Sequence, residues 1–75
     1  MPAEVPIRGA SIRLGQLLKL AGTVESGSEA KALLAAGAVT VNGEPESRRG
    51  RQLHGGDVVR AGGSELIVTI GGGAS

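Results

Sequence analysis

Hydrophobic positions along this chain fall into runs of two different periods. From Leu14 the apolar residues Leu14, Leu17, Leu18 and Ala21 recur at i, i+3, i+4 and i+7, the spacing of one helical face. Gly22 stands where such a helix stops, and Ser11 is placed to cap its start. Gly15 within this helix costs roughly 1 kcal/mol against alanine, so its presence points to close helix packing. Thr23 to Glu25 link it to a second helix. Ser26 and Glu29 have the S-x-x-E spacing of a capping box, in which two side chains satisfy free backbone donors. Ala30, Leu33 and Leu34 share one face, and Gly37 ends the element.

Beyond Gly37 the period becomes two. Val39-Thr40-Val41 alternates as a strand does, and Asn42-Gly43 is the strongest short-range hairpin signal. Pro45 disfavours a regular central strand, and the arginine-rich stretch after it reads as a loop. Gly55-Gly56-Asp57 predicts a turn, Val58 to Arg60 a strand, Gly62-Gly63 a turn, and Leu66 to Ile70 the last strand. Near the start, Val5 to Arg8 suits only an edge, because Pro6 has no ladder donor. The fold class predicted is α+β: two short helices packed on a small, mainly antiparallel twisted sheet of three to five strands. Residues 1–10 form an N-terminal segment with that edge strand, 11–70 a single domain, and 71–75 a flexible Gly-rich tail.

Composition sharpens this picture by exclusion. Seventy-five residues make one domain, and 19 of them are Ile, Leu or Val, enough for a small aliphatic core. The chain has no Phe, Tyr or Trp, so the core lacks its largest burial contributions, and stability of about 5 kcal/mol is expected. Without cysteine there are no disulfides or thiolate metal sites. No apolar run approaches the roughly 20 residues of a membrane span, and MPAEVPIRG lacks the form of a signal peptide. A cytoplasmic, membrane-independent protein is expected, with a monomer as the default.

Net charge is only +1, but Arg48, Arg49 and Arg51 lie within four positions, while Glu25, Glu29, Glu44 and Glu46 lie elsewhere. Such a run is either a solvated loop or a phosphate-binding patch beside a hairpin. Guanidinium groups match phosphate with paired donors and also stack on bases. Gly50 permits a bend that splays these side chains. Lys19 and Lys31 sit on the polar sides of the two helices, either as solubilising residues or as the flanks of a shared groove. Ser26 to Ser28 open the second helix, where a phosphate could be received, although capping alone accounts for Ser26. Absent aromatics, a base-stacking single-strand platform is disfavoured. His54 stands alone, Asn42 and Asp57 read as turn residues, and nothing forms a nucleophile–base pair, a Walker loop or a paired-carboxylate site. No cofactor is called for, and catalysis is not expected.

IRLGQLLKLAG, SGSEAKALLAAGAVTVNG and GGDVV together resemble the RNA-binding domain named after ribosomal small-subunit protein four, the alpha-L motif. The elements that carry the likeness are Arg13-Leu14, Ser26, Gly37 through Gly43, and Gly56-Asp57, and it spans about residues 11 to 60. The flanking strands and the arginine loop look like the stand-alone bacterial YbcJ-like branch. What the resemblance implies is binding of structured ribosomal or transfer RNA, in ribosome assembly or translation, without chemistry. The candidate RNA-binding residues are Lys19, Ser26, Lys31, Arg48, Arg49 and Arg51. Two departures stand out: Gly27 where many members carry arginine, and Gly15 where many carry aspartate. The first shifts phosphate contact toward Lys31 and the arginine cluster. Two rival readings stay open: a protein-interaction or ribosome-docking module on the same fold, and a β-grasp carrier prompted by the terminal IGGGAS.

Overall fold

A computed structural model describes residues 2–71. In chain order its elements are β1 (Ala3–Ile7), β2 (Ser11–Arg13), α1 (Leu14–Leu20), α2 (Gly27–Ala35), β3 (Val39–Val41), β4 (Glu44–Pro45), β5 (Gln52–His54), β6 (Val58–Ala61) and β7 (Ser64–Ile70). Five strands make one sheet in the order β1-β7-β6-β3-β4, and β2 pairs with β5 in a separate two-stranded ribbon. Only the β1–β7 pairing is parallel. The α+β class predicted from the pattern is the one observed.

Alternation decides which face of the large sheet meets the helices. Val5, Val39, Val41, Val59, Ala61, Leu66 and Val68 are all buried on one face. The register aligns them in rows: Val5 opposite Val68, Val59 opposite Leu66, Val41 opposite Val59. A slip of one residue would turn every one of these side chains to solvent. Against this face pack Leu14, Leu17 and Leu18 of α1 and Ala30 and Leu34 of α2. Val24, placed in the linker by the sequence, is 4% exposed and belongs to the core.

Both helices end in the same way. Gly22 (φ 77°) and Gly37 (φ 73°) take the left-handed conformation. At α1 the Gly22 N–H donates to Lys19 O and the Thr23 N–H to Leu18 O, and at α2 Gly37 and Ala38 donate to Leu34 and Leu33. This is the Schellman arrangement, which uses carbonyls the helix leaves free.

Helix starts differ from expectation. Ser11 does not cap α1; it lies in β2, paired with His54, and the helix begins three residues later at Leu14. The physical reason is tertiary, because residues 11–13 gain a strand partner some 40 positions away that local reading does not see. At α2, Ser26 Oγ accepts from the Glu29 N–H at 3.2 Å, while the Glu29 carboxylate accepts from Glu25 N–H, one residue earlier than a strict capping box. The edge strand spans Ala3–Ile7 rather than Val5 to Arg8, and Pro6 sits in it at the sheet edge. The arginine segment loops as expected, and Gln52–His54, which the sequence pattern leaves unassigned, forms β5. Residues 72–75 of the expected tail lie outside the described residues.

Candidate nucleic-acid interface

Where β2 runs into α1, the N-cap residue Arg13 makes no cap bond with its own side chain, and Gln16 Oε1 accepts from its N–H at 3.4 Å. The first N–H groups of the helix are instead taken by the arginine loop: Leu14 N–H donates to Arg51 O at 2.8 Å and Gly15 N–H to Arg49 O at 3.0 Å. Backbone carbonyls from residues 49 and 51 therefore do the work of a cap. This anchors the loop on the helix and explains Gly15. A methyl group there would collide with Cγ of Arg49. Its contact is with the loop, not with the other helix.

The same geometry carries the Arg49 side chain across to α2, where its Nη1 lies 3.4 Å from the position a Cβ would occupy on Gly27. Arg49 thus stands as a wall between two open depressions. One, of about 340 Å³, is lined by Arg13, Gly15, Gln16, Lys19, Gly27, Arg49 and Gly50. The other, of about 490 Å³, is lined by Lys31, Leu34, Ala35, Ser47 and Arg49. Lys19 lines the first depression with Arg49, and Lys31 lines the second with it. Among the described residues Arg13, Lys19, Lys31 and Arg49 have no acidic partner.

The arginine trio divides. Arg48 and Arg51 line neither depression and converge on Glu46, the one buried charged residue among those described, at 8% exposure. Arg51 Nη1 donates to Glu46 Oε1 at 2.8 Å, and Arg48 Nε to Oε2 at 3.2 Å. The N–H groups of Ser47 and Arg48 also donate to Oε2, at 3.1 and 3.0 Å. The Arg48 side-chain bond above all, then that of Arg51 and the Arg48 N–H, bring the Glu46 carboxyl down from 4.5 to about 2. Arg48 gains in turn, its guanidinium raised by the bond to Glu46. Arg48 is still 75% exposed, so its outer edge faces solvent, while Arg51 is only 36% exposed.

Glu46, expected among the acids remote from the arginines, is instead the carboxylate around which their loop is built. The spacing E-S-R-R-G-R was the available signal, since a turn at residues 49–50 brings its members together. Arg13 and Gln16 were also missed as lining residues, although Arg13-Leu14 had been singled out as a motif. Ser26 lines neither depression, and its hydroxyl is occupied by the cap.

At a second corner the side chains are consumed internally. Asn42, at φ 52°, donates from Nδ2 to Asp57 Oδ1 at 3.1 Å and accepts at Oδ1 from the Val58 N–H at 2.9 Å. Asp57 Oδ2 accepts from the His54 N–H at 2.8 Å. Burial pushes the Asp57 carboxyl up, but these donors outweigh it and leave the group below the ordinary carboxylate range. The two turns read separately in the sequence are one hydrogen-bonded unit.

The fold is of the class that sets a helix pair on a mainly antiparallel sheet, and here basic residues gather where the helices meet a loop. An S4 domain matches residues 5–69, and the chain belongs to that family. A relative in Bacillus subtilis (strain 168), named Probable ribosome maturation protein RlbA, is 49% identical over 59 residues, covering 79% of this chain and 83% of its own. Among the described residues no helix is long and apolar enough to cross a membrane.

Proposed function

We propose that this chain binds structured RNA, ribosomal RNA in the first instance, and acts without chemistry in ribosome maturation. One observation carries the reading: Arg49, fixed on Gly15 and free of any acidic partner among the described residues, is shared by two depressions whose rims hold Arg13, Lys19 and Lys31. Such a surface meets phosphates with both a forked donor and point charges. Membership of the S4-domain family and the name of the Bacillus relative support it. Arg48 supplies a further exposed cation on the same loop, while Arg51 and Ser26 serve the scaffold.

The test is fluorescence anisotropy with folded ribosomal RNA fragments across a salt series. Four phosphate contacts should make log affinity fall against log salt with a slope of about −3 to −4. A slope near zero, or no binding at low salt to structured or unstructured RNA, would discard RNA binding and favour a protein-docking module on the same fold.

A further inference from the structure

Resting on that RNA-binding reading, we propose that the two depressions together hold one unstacked nucleotide of a folded RNA, seated astride Arg49. Its phosphate lies among Arg13, Lys19 and Arg49, and its base lies in the neighbouring depression against the Arg49 guanidinium.

The chemistry of the two depressions differs, and a nucleotide is the part of an RNA that matches both. The first is lined by the Arg49 side chain where it covers Gly15 and reaches Gly27, by the open Gly50, and by the cations Arg13 and Lys19. The second has Leu34 and Ala35 in its lining, with Lys31 and Ser47 as its polar members. Their volumes, about 340 and 490 Å³, lie toward the small end of the roughly 300–1,000 Å³ range of ligand pockets. A continuous RNA duplex offers phosphates but keeps its bases stacked, so it would occupy only the first. A bulged or looped-out nucleotide offers an anion and an apolar plate a short distance apart.

Arg49 is the group able to touch both parts. With no aromatic residue in the chain, a guanidinium plane is the available stacking surface in this cleft. Its posture is set before any ligand arrives, by the bond from Gly15 N–H to its carbonyl and by its stem lying over Gly15. Among the described residues no carboxylate competes for it.

The experiment uses three versions of one RNA hairpin: fully paired, with a single bulged nucleotide, and with an abasic residue at the bulge. Affinities are measured by anisotropy at one salt concentration. The bulged hairpin should bind about tenfold more tightly than the paired one, the size of one base–side-chain stack, and the abasic bulge should fall back toward the paired value. Ala35→Met, which fills the second depression without changing charge, should erase the preference and leave paired-hairpin affinity unchanged. Arg49→Lys, which keeps the charge but removes the planar fork, should also bring the bulged and paired affinities together, while weakening binding to both. Circular dichroism checks that both are folded, and Arg49→Lys decides the matter if Ala35→Met is not. An abasic bulge bound as tightly as the intact one overturns the inference, as do three equal affinities that retain a salt slope; both leave RNA binding standing. Failure to bind any hairpin removes the RNA-binding reading itself, and this inference with it.

Discussion

Two corners of this molecule are each built on one carboxylate, and they end with opposite surfaces. At the Asn42–Asp57 corner the partners are neutral, an amide and backbone N–H groups, and each polar atom is spent on holding two turns together. At the Glu46 corner the partners are two arginines, and holding the loop leaves a third, Arg49, pointed into a cleft. The first is scaffold alone. The second is scaffold and display at once, because the cations that satisfy Glu46 come from the same short loop as the one that does not. A run of like charges is therefore not a run of like functions, and the carboxylate nearby decides how it divides.

That contrast can be broken in four ways. The largest effect should follow from Lys19→Glu with Arg49→Glu, which reverses two charges of the cleft: RNA affinity should fall on the order of 100-fold, with the melting temperature little changed. A matching loss of Tm would show that these residues hold the fold. Next, Asn42→Ala removes two hydrogen bonds and puts alanine at positive φ, costing about 2 kcal/mol in urea unfolding while RNA affinity stays at the wild-type value. Third, Glu46→Gln should lower Tm and, by releasing Arg48 and Arg51, steepen the salt slope of RNA binding by about 1. An unchanged slope would mean the released arginines do not reach RNA.

The smallest effect is the dependence on pH. Glu46 titrates near 2 in the folded chain against an ordinary 4.5, so its stabilisation is complete above about pH 4.5 and is lost as pH falls through about 2. Thermal melts across that window should show Tm falling with pH, and Glu46→Gln should flatten the fall. Asp57, also lowered, should leave a residual slope of the same sign.

How much of this was legible in the chain follows from distance along it. The helix stops at Gly22 and Gly37, the Asn42-Gly43 turn and the alternation of β3 and β7 depend on residues within a few positions, and each could be read directly. The strand at Ser11–Arg13 could not, because three residues carry no period and their partner is at Gln52–His54. The cleft was half legible. Arg49, Lys19 and Lys31 were named from their types, but the division of the arginines required knowing that Glu46 folds back under them. Gly15 showed that something approached the helix closely, without showing that it was an arginine stem.

The edge strand β1 has consequences for how the chain acquires its structure during synthesis. Its parallel partner is β7, more than 60 residues later, and the start of α1 is closed by carbonyls of residues 49 and 51. An emerging N-terminal half holds both helices in sequence but lacks the groups that end-cap the first and flank the second. Its apolar faces must wait, exposed, until almost the whole of residues 2–71 has been made. The cleft around Arg49 assembles only in that last interval. A nascent chain of this protein should thus have no basic surface to offer until its core is closed.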